Sequence, residues 1–154
     1  MSKNAYFIHP KDLPNVWHDV KPLINKALEH ASGELISSDI LELLLEQRQI
    51  LLVGVDDKQL EMATVGEIIN YPRKRIFRVI TLATKSGHDY EKWNEYIPLV
   101  EDFAKEHGCV ALEAWTRKGL AEKLDWEHEY SVILKPIKPK QQQRKRRRRT
   151  KTNG

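Results

Sequence analysis

The sequence predicts one small α/β (α+β) domain, its sheet partly antiparallel and partly parallel, followed by a separate basic arm. Three observations carry this. Apolar residues between positions 13 and 31 recur at helical spacing. Residues 49–82 hold three apolar runs joined by two short polar turns, the pattern of an antiparallel meander. Residues 76–115 then read strand, helix, strand. A crossover of that kind is right-handed and leaves its two strands parallel.

Each element has its own local reason. Ala5-Tyr-Phe-Ile8 is a short apolar run, stopped by His9-Pro10, and reads as a first strand. Leu13, Val16, Trp17, Val20, Leu23, Ile24, Ala27 and Leu28 make the stripe of the first helix, with Asp12 as N-cap and Gly33 as stop. Pro22 falls inside it and predicts a kink or two shorter helices. A second helix is expected over 39–47, where Asp39 and Glu42 have capping-box spacing. Strands follow at 49–55, 60–69 and 76–82, with turns at Asp56-Asp57-Lys58 and Tyr71-Pro72-Arg73-Lys74. Trp93, Tyr96, Ile97, Val100, Phe103 and Ala104 form the stripe of a long helix that Gly108 ends. Residues 109–115 read as a buried strand, 117–124 as a short helix, and Tyr130-Ser-Val-Ile-Leu134 as a last strand.

Charge is divided along the chain. Ten Lys and Arg and no acid lie in residues 135–154, so the remaining 16 Lys and Arg face all 22 Asp and Glu. The body is near −6 and the arm near +10. Such asymmetry points to a tail with a polyanionic partner. Pro136 and Pro139 interrupt any strand, and no apolar residue follows Ile137 to offset the entropy of ordering. Arg144, Lys145, Arg146, Arg147, Arg148 and Arg149 are consecutive cations and the candidate nucleic-acid contacts, sequence-blind and salt-dependent. The division is a domain over 1–135 and a disordered arm over 136–154.

Cys109 is the single cysteine, which excludes an internal disulfide and a Cys-based zinc site. No His cluster suggests another metal, so none is expected. The N-terminal residues hold no secretory h-region, and no apolar run reaches a membrane span, so no membrane partner is expected.

The element order resembles that of the GNAT N-acetyltransferase superfamily. The segment Gly119-Leu-Ala-Glu-Lys-Leu-Asp-Trp126, then Tyr130-Ser-Val-Ile-Leu134, is similar to that family's last helix and strand. The stretches 71–79, 95–100 and 108–109 resemble more specifically the GNAT-like proteins of tailed bacteriophages. The resemblance spans most of residues 5–135. It implies a twisted mixed sheet with helices on both faces, and it makes Leu124 and Trp126 core anchors.

It also implies sites. The loop that would grip acetyl-CoA corresponds to residues 82–90, with Leu82, Thr84, Lys85, Ser86, Gly87 and His88 as cofactor-binding candidates. A single glycine and Asp89 stand where the family has a glycine-rich phosphate loop. Asp89 reads better as a helix N-cap. The tyrosine that protonates the leaving thiolate in many relatives is replaced by Ala121, with Tyr130 the nearest phenol downstream. Glu67 and Glu113 are candidate general bases, each of which could instead face solvent or pair with a neighbouring cation. The leading expectation is a bacteriophage GNAT-like module with a degenerate acetyl-CoA site and no cofactor. It would bind nucleic acid through its arm, with virion proteins as further partners, in the host cytoplasm or the virion. The alternative is an active acetyl-CoA-dependent N-acetyltransferase.

Overall fold

A computed structural model describes residues 3–29, 33–85, 90–115 and 120–138. The elements are β1 (Lys3–Ile8), α1 (Leu13–Leu28), α2 (Ser37–Leu45), β2 (Ile50–Asp56), β3 (Gln59–Tyr71), β4 (Lys74–Thr84), α3 (Tyr90–Glu106), β5 (Leu112–Ala114) and α4 (Leu120–Leu124). They form one sheet of order β1-β2-β3-β4-β5. Neighbours from β1 to β4 are antiparallel, and β4–β5 is parallel. The meander and the parallel crossover are both present.

The β2–β3 turn needs two residues with positive φ, supplied by Asp57 at 49° and Lys58 at 68°. That backbone follows the right-handed twist of the strands it joins. The β3–β4 turn instead uses Pro72, whose ring holds φ negative. Both faces of the sheet are covered, so β2 reads as an almost continuous apolar run. Leu51 and Val53 of β2, with Ala63 and Val65 of β3, pack against Leu13, Val20, Leu23 and Ile24 of α1 and Ile40 and Leu44 of α2. On the other face Leu52, Met62 and Phe77 pack against Tyr96, Val100 and Ala104 of α3, and the buried Cys109 joins them.

Two glycines let aromatic rings lie on the sheet. A Cβ on Gly54 would stand 2.6 Å from Cε1 of Tyr96, and one on Gly66 would overlap the ring of Phe77. The strand registers shift next to both, between Gly54 and Val55 and between Val65 and Gly66. Bulges with small residues bend a strand towards what it must touch.

Four local expectations are corrected. Pro22 does not divide α1, which runs unbroken. Its ring sits on the exposed side, while burial of Val20, Leu23 and Ile24 holds the turn together. Asp12 does not cap the helix with its side chain. Its backbone is already helical (φ −94°, ψ −6°), and a cap needs extended backbone. His9 caps the preceding 3-10 turn, Nδ1 accepting from Lys11 N–H at 3.1 Å. Asp39 lies three residues inside the cap, and its carboxylate accepts the Ile36 N–H at 3.0 Å.

The fourth correction is the largest. Residues 126–138 join no strand, and Tyr130, Val132, Ile133 and Leu134 are 69–91 % exposed. A strand needs a neighbour to bond along its length. β5 has three residues, few bonds against an ordering cost of about 1–2 kcal/mol per residue. Leu124 and Trp126 are only half-buried and do not belong to either core.

Tyr96 has a measurable consequence. Burial first, then the carboxylates of Asp56, Glu61 and Glu95, pushes its phenol from 10.0 up to about 12. The folded state therefore holds this proton more tightly than the unfolded chain. That part of the stability is complete below pH ~10 and is lost as pH rises towards ~12, a ceiling of about 2–3 kcal/mol. Urea unfolding midpoints should stay level up to pH ~10 and then fall, and Tyr96→Phe should flatten the fall.

Candidate active site in the splay between β4 and β5

The parallel pairing of β4 and β5 is short. It joins Phe77 to Leu112, Arg78 to Glu113 and Val79 to Ala114. Beyond Val79, β4 continues to Thr84 with no described strand on that side. The two strands therefore splay beside residues 80–84 of β4. α3 begins at Tyr90, so the N–H end of a 17-residue helix stands at the same end of the sheet. Backbone N–H groups there favour an anion.

One charged row crosses the sheet beside this splay. Glu67 on β3 is in register with Arg78 on β4, and Arg78 with Glu113 on β5. Pairing across strands puts all three on one face. Arg78 Nε donates to Glu113 Oε1 at 2.6 Å, and Trp115 Nε1 donates to the same oxygen at 3.1 Å. Tyr71 OH donates to Glu113 Oε2 at 3.4 Å and accepts from an Arg78 terminal nitrogen at 3.1 Å. The guanidinium also lies 4.3 Å from the Trp115 ring centroid. Glu113 is thus held on both oxygens. Glu67 is half-buried, and its carboxylate makes no hydrogen bond or ion pair among the described residues.

The other candidates are distributed as follows. Leu82 is half-buried and packs with the α3-side core. Thr84 is buried, and its carbonyl accepts from Lys26 Nζ of α1 at 2.7 Å. Lys85 is exposed, and its N–H continues the β3–β4 ladder to Glu61 O at 2.9 Å. Ser86, Gly87 and His88 lie outside the described residues, as do Asp89 and the cations Arg144, Lys145, Arg146, Arg147, Arg148 and Arg149. Tyr130 is 85 % exposed on the segment that leaves the sheet. Arg78 therefore stands between Glu67 and Glu113 on one face of the sheet, while Leu82 packs on the α3-side core, Thr84 ends β4, and Tyr130 belongs to no strand.

Sequence reasoning missed Arg78, Tyr71 and Trp115. A signal existed for the first. Arg78 is a lone charge in the apolar run Ile76-Phe77-Arg78-Val79-Ile80, and a half-buried cation needs a partner. Among the described residues no group of three or more His, Cys, Asp or Glu could hold a metal ion. No described helix is long and apolar enough to cross a membrane.

No protein-family model matches the sequence, and no curated protein matches it. Solved structures do match in fold. A ribosomal-protein-alanine N-acetyltransferase from Brucella melitensis has a TM-score of 0.66 at 15 % identity, covering 89 % of this chain and all of the other. An aminoglycoside acetyltransferase from an uncultured soil metagenomic sample, in complex with sisomicin, gives 0.64 at 14 %, covering 90 % and 97 %. A GNAT family acetyltransferase from Staphylococcus aureus gives 0.62 at 13 %, covering 89 % and 100 %. The chain has the GNAT fold, a mixed sheet with helices on both faces.

The Arg78–Glu113 pair is partly open to water, so its worth is modest. A double-mutant cycle with Arg78→Ala and Glu113→Ala, read by urea unfolding, should give a coupling of about 1 kcal/mol or less at low salt. It should shrink further in 1 M NaCl.

Proposed function

We propose that this GNAT-fold domain is a binding module rather than a working acetyltransferase, and that its basic arm engages nucleic acid. The observation that supports this reading is the state of Glu113. A carboxylate committed to a cation and to further donors is less available to take a proton than a free one. Glu113 stands where β4 and β5 pair, and it accepts from Arg78, Trp115 and Tyr71. The phenol nearest in sequence, Tyr130, is exposed and outside the sheet, and Ala121 carries no proton to give. The acidic body repels phosphate, so polyanion binding falls to the arm. In a bacteriophage, the setting the sequence resemblance suggests, that polyanion would be genomic DNA in the host cytoplasm or the virion.

A second reading is an N-acetyltransferase, and the open edge of β4 favours it. Unpaired backbone over residues 80–83 fits the extended amide arm of a CoA thioester, which supplies the acyl group when bound. The Thr84 carbonyl, already taken by Lys26, adds nothing. Glu67 would be the base, its carboxylate free to take a proton from an ammonium acceptor through water.

Calorimetric titration of the full chain with acetyl-CoA, followed by an acetyl-transfer assay on a panel of amines, separates the two. The module predicts affinity weaker than about 10 μM and no turnover. Tight binding with turnover that Glu67→Gln abolishes would establish the enzyme. For the arm, deleting residues 138–154 should leave the melting temperature unchanged and remove DNA retention at low salt. The intact chain should show a log–log salt slope of roughly −4 to −5 for six phosphate contacts. A truncated body that retains DNA with the same slope would refute the arm's role.

A further inference from the structure

A cavity lies away from the splay, at the opposite end of α3. It has a volume of about 710 Å³ and lies between β1, the start of β2 and the C-terminal half of α3. Small-molecule sites occupy roughly 300–1,000 Å³. One wall is aromatic. The rings of Phe7 and Phe103 stack with centroids 6.1 Å apart at 17°, and Phe103 stacks on His107 at 4.1 Å and 29°. His107 is fixed by Nδ1 against the Phe103 carbonyl at 2.9 Å. Phe7 is 48 % exposed despite its apolar ring, and its neighbour Tyr6 is 51 % exposed.

The charge of the lining has one sign. Asp102 and Glu106, one helical turn apart, both line the cavity, and among the described residues no Lys or Arg does. His107 is the only basic residue in the lining among the described residues. A buried polar group is there as well. Gln49 lines the cavity, is 8 % exposed, and its Oε1 has no hydrogen-bond partner among the described residues. A buried acceptor without a donor costs free energy that a donor arriving from outside recovers.

We propose that this cavity binds a small aromatic ammonium compound. The ligand's ring would extend the Phe7–Phe103 stack. Its ammonium would lie between the Asp102 and Glu106 carboxylates and the aromatic faces, both of which attract a cation. A ligand N–H would supply the donor that Gln49 Oε1 lacks among the described residues. An anion of the same shape would meet two carboxylates and no cation. The site is independent of the reading of the splay, since no residue is shared between them.

The test uses the full chain and phenethylamine as probe, with 3-phenylpropionate as the matched anion, followed by amide NMR shifts. Phenethylamine should move the amides of Gln49, Phe103, Glu106 and His107 saturably below about 10 mM. The anion should not. The variant Asp102→Asn with Glu106→Gln, both exposed positions, should keep the melting temperature and weaken binding about fivefold or more. Equal binding of the anion would overturn the proposal. So would unchanged affinity in the double variant, absence of saturation, or shifts confined to residues 67, 78–84 and 112–115.

Discussion

The ring of Tyr96 rests on the backbone of Gly54, at a distance no side chain on residue 54 would allow. This contact sets how closely α3 approaches the sheet, and the arrangement of both candidate sites follows from it. Val100 and Ala104 continue the same buried stripe, and Phe103 reaches Phe77 edge-on at 5.9 Å. Because α3 is held at its middle, its N-terminal end stands at the free edge of β4 and its C-terminal end walls the cavity beside β1. Protein interiors are close-packed, so a methyl group at Gly54 or Gly66 would move the helix or an aromatic ring rather than fill a gap, at a cost of about 1–3 kcal/mol.

The splay itself comes from an imbalance of strand lengths. β4 has 11 residues and β5 has three, so most of β4 runs past its parallel neighbour. Where the two do pair, Arg78 and Glu113 meet on one face, and Trp115 and Tyr71 close the network around them. A carboxylate beside a cleft can be a base or the partner of a cation. Here hydrogen bonds on both oxygens favour the second for Glu113. Glu67, one strand away, keeps its lone pairs. The difference between the two arises from what the fold places beside each of them.

Elsewhere the electrostatics are local. Lys3 on β1 bonds Glu95 on α3 at 2.6 Å, which raises the lysine and lowers the carboxyl, and joins the first strand to the helix on the exposed side. At the other end of α3 the carboxylates of Asp102 and Glu106 line the cavity with no Lys or Arg beside them among the described lining residues.

The element types were legible in the sequence because they depend on periodicity. Apolar spacing gave α1 and α3, alternating and apolar runs bounded by polar turns gave β2 to β4, and the strand–helix–strand order made β4 and β5 parallel. The burial of Cys109 and the α3 stripe were legible for the same reason, as was the separate composition of residues 135–154. What depends on distance in space was not. Pro22 reads as a break, yet the packing of Val20, Leu23 and Ile24 carries α1 through it. Tyr130-Ser-Val-Ile-Leu134 reads as a strand, yet a strand exists only where a neighbour supplies hydrogen bonds, and β5 is too short to do so. Glu67 and Glu113 are the same residue type in similar strands. Only the tertiary register, which sets Arg78 between them and Trp115 and Tyr71 around one of them, decides which carboxylate is held and which is free.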